Sequence, residues 1–230
     1  MRWIESLSSA RMTACVLALG LIGGVPAGHA QVTGLGNQAA STTEPGNTLP
    51  YREVAPLKKD ARVVRVFFMF DCPYCFQYDA SFWQWGKSLP RNWKLEFTPI
   101  FTGQPANYIW IRAFYAVQRA APAHLERFMQ LTYIATQQQK RNLLEQDTWR
   151  DIVRDAGINR AAFDAAWSSL ENSEKLVGPV VDSTDHYRVE ATPSVAIGGR
   201  YVITPDNTHG NPELFMQLLN AMISRAEGRA

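Results

Sequence analysis

The sequence predicts an α/β fold whose elements run βαβ, then a block of helices, then ββα. Three observations predict it. A β-branched and aromatic run from Arg62 to Phe70 is almost continuously apolar, the pattern of a central strand covered on both faces. After a second strand, roughly ninety residues carry apolar side chains at helical spacing. Near the C-terminus, Ser194-Val195-Ala196-Ile197 and Arg200-Tyr201-Val202-Ile203 flank Gly198-Gly199, which reads as a two-residue hairpin turn.

The elements follow in order. Arg2 and Arg11 precede an apolar run, Val16 to Val25, that is too short to span a bilayer, so residues 1–30 read as a secretory signal. The small residues Pro26-Ala27-Gly28-His29-Ala30 suit cleavage after Ala30, and a cut after Ala27 also fits. Residues 31–50 are rich in Gly, Ser, Thr, Asn and Gln, too polar to offset the entropy of ordering, and are expected to form a flexible leader. A short extended stretch is expected at 51–54 and the first long strand at 62–70. From Cys72 no glycine occurs until Gly86, and Phe76, Asp79, Ala80, Phe82 and Trp83 recur at helical spacing, which predicts a helix to about Lys87. A strand at 93–100 comes next. Helices are predicted at 108–119, 123–138, 145–156, 161–170 and 173–185, with Trp110, Trp149 and Trp167 as packing residues. The hairpin leads into a closing helix at 212–225, with Pro212 in its first turn.

Composition narrows the function. The 230 residues carry 23 basic and 21 acidic side chains, a net charge of +2, and no basic-aromatic run, which argues against nucleic acid as a partner. Nothing beyond residue 30 has the length and apolarity of a membrane span. Of three cysteines, Cys15 falls within the signal segment, so export leaves Cys72 and Cys75, an even pair for an oxidising compartment.

Those two cysteines, in Phe67-Phe68-Met69-Phe70-Asp71-Cys72-Pro73-Tyr74-Cys75, sit where a strand hands over to a helix. The positive end of the helix dipole and its free N–H groups lower a thiol's pKa, so the first cysteine can react as thiolate near neutrality. Cys72 is the expected nucleophile, and Cys75, one turn in, the more buried resolving thiol. Pro73 fixes φ at the first turn and stiffens the pair. Tyr74 brings no cation to the thiolate, which predicts a milder pKa depression than a histidine there would give. Far along the chain, Ala191-Thr192-Pro193-Ser194 precedes the hairpin; a cis Thr192–Pro193 bond is expected, turning the chain so that backbone groups are free to pair with an extended polypeptide. Asp79, one turn beyond Cys75 on the same side of the helix, is a candidate proton shuttle, or else a solvated helix charge. Tyr74, Tyr78 and Trp85 are candidates for an exposed apolar surface. The loop 204–211 is polar, as a solvent loop would be.

The chain resembles the DsbA family of periplasmic thiol–disulfide oxidoreductases. The resemblance rests on the Phe67 to Cys75 run, on Asp151-Ile152-Val153-Arg154-Asp155-Ala156-Gly157-Ile158 with Phe163-Asp164-Ala165-Ala166-Trp167, and on Ala191-Thr192-Pro193-Ser194-Val195-Ala196-Ile197-Gly198-Gly199-Arg200-Tyr201, and covers most of 61–225. It implies a thioredoxin fold, 51–103 with 188–230, carrying an inserted helical domain at 104–187. It also implies oxidation of reduced, unfolded exported proteins by a Cys72–Cys75 disulfide with no other cofactor, reoxidation by a DsbB-like quinone-linked membrane partner, and a place for the loop 204–211 beside the proline turn. Two departures stand out. Family oxidases commonly carry an acidic residue six positions before the first cysteine, where this chain has Val66, and Pro73-Tyr74 with Thr192 also resemble the isomerase branch, DsbC and DsbG. That branch has a large N-terminal dimerisation domain, which the segment 31–60 is too short and polar to form, so a monomeric oxidase is expected.

Other readings of the pair are weaker. A structural zinc site needs four ligands, and His124, His186 and His209 are far apart in sequence. Haem attachment through Cys-x-x-Cys-His fails because residue 76 is Phe. A structural disulfide across so short a loop constrains the unfolded chain little and leaves Thr192-Pro193 without a role. A binding or chaperone module that keeps the fold and uses the cysteines only as a staple is the remaining alternative from another class.

Overall fold

Alternation along one strand sorts Val64, Val66 and Phe68 to one side and Arg65 and Phe67 to the other, and the rest of the molecule is arranged around that division. The computed structural model describes residues 49–170 and 173–228; the expected signal segment 1–30 and nearly all of the leader 31–50 lie outside the described residues. Five strands form one sheet in the order β1-β5-β4-β2-β3, where β1 is Arg52–Glu53, β2 Val63–Phe68, β3 Lys94–Pro99, β4 Ser194–Ile197 and β5 Tyr201–Ile203. β2 and β3 run parallel, joined by helix α1 (Pro73–Gly86), and the other neighbours are antiparallel. The helices α2 (Pro105–Ala120), α3 (Leu125–Tyr133), α4 (Gln146–Asp155), α5 (Arg160–Ser169) and α6 (Ser173–His186) separate β3 from β4, and α7 (Pro212–Glu227) closes the chain. α3 does not end at Tyr133: residues Ile134–Gln138 continue it as a π-helical turn.

The larger core lies on the Val64, Val66 and Phe68 face, which packs with Phe82 and Trp85 of α1 and with Phe215, Leu219 and Met222 of α7. The same core runs without interruption into the helices. Phe68 meets Phe114 at 5.3 Å between ring centroids, and Phe70 meets Tyr133 at 5.2 Å and Phe128 at 6.4 Å. The opposite face is smaller, with Phe67, Ala196 and Val202 around Tyr187. There Arg65 interrupts the apolar run; its guanidinium donates to both Asp60 carboxylate oxygens at 3.0 Å, and the Tyr187 hydroxyl donates to the same carboxylate at 2.7 Å. A buried charge needs such pairing, and here it comes from the turn preceding the strand.

The hairpin differs from its predicted form by one residue. Gly198 and Gly199 both adopt the left-handed backbone that their sequence suggests, φ +63° and +68°. Pairing resumes at Ile197 and Tyr201, so the connection spans three residues and Arg200 stands outside the ladder. A side chain at Gly199 would collide with the Leu57 carbonyl, which explains the second glycine.

Candidate functional site

Cys72 is the N-cap of α1. Its backbone is extended (φ −79°, ψ 115°), Pro73 takes the first helical position, and its sulfur accepts the Cys75 N–H at 3.2 Å. Cap residues usually satisfy the orphan N–H groups of a first turn with oxygen; here a sulfur does so, and the same groups stabilise it as an anion. From the other side, Cys72 Sγ donates to the Thr192 carbonyl at 3.1 Å. The Thr192–Pro193 peptide bond is cis.

Both cysteines are free thiols, and their environments push them in opposite directions. The Cys75 thiol hydrogen-bonded to Cys72 is the main cause that brings Cys72 down to about 6, helped by the Thr192 side chain and by the N–H groups of Cys75 and Tyr74 against the cost of burial. Cys75 is 2% exposed, and burial, followed by its interaction with Cys72, pushes it well above a free thiol's usual value. A value of about 6 lies between a free cysteine near 8.5 and the most acidic exchange cysteines near 3.5, the mild depression expected with Tyr74 in place of a cation.

Beneath the pair is a narrow crevice with no room for a water molecule, formed by Val66, Phe68, Cys75, Asp79, Phe97, Tyr133 and Pro193 among others. Asp79 is therefore a buried carboxyl, 5% exposed, and not a solvated helix charge. Burial raises it to about 7; the nearby Trp83 indole opposes this, and Glu126 adds to it. Neither Asp79 Oδ1 nor Trp83 Nε1 has a hydrogen-bond partner among the described residues. The structure thus gathers Cys72, Cys75, Asp79, Thr192 and Pro193 at one end of the sheet. Pro73 and Tyr74 form the exposed rim, Tyr74 being 61% exposed.

The apolar surface expected from Tyr74, Tyr78 and Trp85 reduces to Tyr74. Tyr78 packs edge-on to Phe215, and Trp85 donates its indole N–H to Asn220 Oδ1 at 2.7 Å, so α7 covers both. Beside the proline turn is a cavity of about 330 Å³ lined by Arg52, Ala191, Ser194, Thr204 and Asn207, which places the start of the 204–211 loop where the resemblance implies. No cluster of three or more His, Cys, Asp or Glu side chains able to hold a metal occurs among the described residues.

One residue of the site has no signal in the sequence. Gln137, in the π-helical turn, donates its side-chain amide N–H groups to the carbonyls of Phe70 (3.0 Å) and Cys72 (2.8 Å). It belongs to the helices between β3 and β4, 65 residues from Cys72. It lies in a π-helical turn, whose side-chain directions a helical spacing rule does not describe.

Comparison with known proteins agrees with this geometry. A family model described as Thioredoxin matches residues 58–218. The thiol:disulfide interchange protein DsbA of Bordetella pertussis is 22% identical over 139 residues, 60% of this chain, and the match spans 64% of that relative, just under two thirds of its length. DsbA of Burkholderia cepacia is 24% identical over 180 residues, covering 76% of this chain and 81% of that protein. Among solved structures, reduced DsbA1 from Neisseria meningitidis superposes with a TM-score of 0.66 at 20% identity, covering 83% of this chain and 97% of that one, a likeness of fold.

Proposed function

Because the chain belongs to the thioredoxin family, we propose that it is a DsbA-like thiol:disulfide oxidoreductase that introduces disulfides into reduced, unfolded exported proteins. One observation carries this reading: Cys72 sits at a helix start with its sulfur between the Cys75 N–H and the Thr192 carbonyl, and it is acidic enough to leave as thiolate at neutral pH.

In the oxidised protein a substrate thiolate attacks Cys72 Sγ. The Cys72–Cys75 bond breaks, a substrate–Cys72 mixed disulfide forms, and Cys75 departs with the electron pair. Its high affinity for a proton means that it must be protonated as it leaves, and Asp79, which shares its crevice and titrates at about 7, is the donor. A second substrate thiolate then attacks the substrate sulfur of the mixed disulfide and releases Cys72 as a stable thiolate. The substrate has lost two electrons and the protein has gained them. Thr192 and Pro193 present backbone to an extended substrate, and Pro73 and Tyr74 bound the opening. A DsbB-like quinone-linked membrane partner would restore the disulfide. No described helix is long and apolar enough to cross a membrane. The export signal read from residues 1–30 suits work in the periplasm, and a segment 31–60 too short and polar for a dimerisation domain suits a monomer.

Equilibration with glutathione tests the direction of the chemistry. A potential near about −120 mV is expected, and one below about −200 mV overturns the oxidase. Cys72→Ser should abolish catalysed oxidative refolding of a reduced substrate; an unchanged rate would show that the cysteines are only a staple.

A further inference from the structure

The two Gln137 hydrogen bonds bracket a single exposed residue, Asp71, and one of them falls on the nucleophile's own carbonyl. The Phe70 carbonyl belongs to the peptide unit entering Asp71, and the Cys72 carbonyl to the unit entering Pro73. Holding both fixes the orientation of the segment between them, and Cys72 Sγ projects from that segment. The contact that stabilises the thiolate is short and directional, the Cys75 N–H donating to Cys72 Sγ at 3.2 Å, so small rotations of the loop weaken it. Cys72 N–H bonds the Met69 carbonyl at 3.3 Å and the Phe76 N–H bonds the Cys72 carbonyl at 3.2 Å; Gln137 is the long-range restraint added to these local ones.

The arm is held at its base as well. Gln139 N–H closes on the Ile134 carbonyl at 3.0 Å, five residues back, and Tyr133, just before the π-helical turn, stacks on Phe76 in the first turn of α1 at 5.6 Å and 20°. Ring and amide thus grip the redox loop from one end of α3. π-helical turns are rare and recur at functional sites; here one ends α3 and carries the amide that reaches the active loop.

We propose that Gln137 is a positioning residue for the exchange reaction: from the helices between β3 and β4 it sets the redox loop so that Cys72 keeps the contacts that stabilise its thiolate. This deepens the exchange reading and rests on Cys72 being the reacting sulfur.

The test uses the reduced full chain with Gln137→Leu, which keeps bulk and removes the donor, and Gln137→Glu, whose carboxylate cannot donate and brings negative charge toward the sulfur. Gln138→Leu, on the exposed neighbour, is the control. Thiolate absorbance at about 240 nm is titrated against pH, the equilibrium with glutathione is measured, and urea unfolding is followed alongside. Loss of one ordinary hydrogen bond corresponds to roughly a fivefold weaker ionisation of Cys72 in Gln137→Leu, a larger loss in Gln137→Glu, and no change in Gln138→Leu. Weaker thiolate stabilisation disfavours the reduced form, so the potential should fall by about 20 mV for the fivefold change. A titration and a glutathione constant unmoved in both Gln137 variants, with only unfolding affected, would reduce Gln137 to a structural brace and overturn the proposal. If Gln137→Leu does not fold, Gln137→Glu decides by the same criteria. Wild-type protein that failed to oxidise any reduced substrate would defeat the exchange reading by itself and leave this comparison of titrations standing.

Discussion

The stability of Asp79→Asn relative to the wild-type protein should rise from acid to alkaline pH. An ordinary aspartate titrates near 3.9, whereas burial holds Asp79 at about 7. Between about pH 4 and 7 the folded chain keeps this proton while the unfolded chain has released it, so stability falls as pH rises through that window. Above it the folded state bears the whole cost of a buried carboxylate without a partner for Oδ1. Three units at about 1.36 kcal/mol each give about 4 kcal/mol, and local relaxation brings the expected figure to about 2–4 kcal/mol. Asparagine removes the ionisation. Its own pH-independent penalty cancels when the wild-type to variant difference at about pH 8 is compared with that at about pH 4. Urea denaturation of the reduced proteins at the two pH values measures that difference. Equal differences at both would mean that Asp79 does not titrate in the folded state as its burial dictates, and with that the proton-donor role would fall. A sound role also predicts that Asp79→Asn slows exchange and flattens its pH dependence near neutrality.

The remaining predictions concern the sulfur and the sheet. Cys72 thiolate absorbance should titrate at about 6, and a midpoint above about 8 would contradict the cap geometry. Tyr74→His places a titratable cation beside the sulfur and should lower that midpoint and raise the potential against glutathione; a shift in the opposite direction would refute the account of Tyr74. Thr192→Val keeps the shape and removes the hydroxyl that helps hold the Cys72 thiolate, so the midpoint should rise with little change in unfolding free energy; an unmoved midpoint would exclude the hydroxyl from the site. Gly199→Ala should cost about 2 kcal/mol or more in urea unfolding, because positive φ and collision with the Leu57 carbonyl act together, and a loss below about 0.5 kcal/mol would show that the turn yields.

Local patterns made much of this molecule legible. Apolar continuity marks β2, the Cys-Pro-Tyr-Cys run marks the start of α1, and paired glycines mark the hairpin, each because the controlling physics acts within a few residues. What was not legible depends on neighbours that arrive from elsewhere. The helical repeat puts Asp79 on the Cys75 side of α1, but it takes Val66 and Phe68 of β2, Phe97 of β3, Tyr133 of α3 and Pro193, brought from elsewhere in the chain, to make that side dry. Tyr78 and Trp85 look exposed until α7 brings Phe215 and Asn220 over them. Arg65 reads as a flaw in an apolar strand until Asp60, itself held by the Tyr187 hydroxyl, neutralises it. Gln137 is the extreme case: its direction depends on a π-helical turn, and its target lies 65 residues back in the chain.

The aromatic ladder from Phe68 and Phe70 to Phe114, Phe128 and Tyr133 also bears on how this chain can be re-engineered. Splicing β3 directly to β4 would delete Phe114, Phe128 and Tyr133 and leave Phe68 and Phe70 uncovered just behind the reactive sulfur, so the shortened protein would meet water with those two rings. The five middle helices are therefore no detachable accessory. They are the back of the active centre, and a minimal catalyst cut from this scaffold must supply a replacement for them.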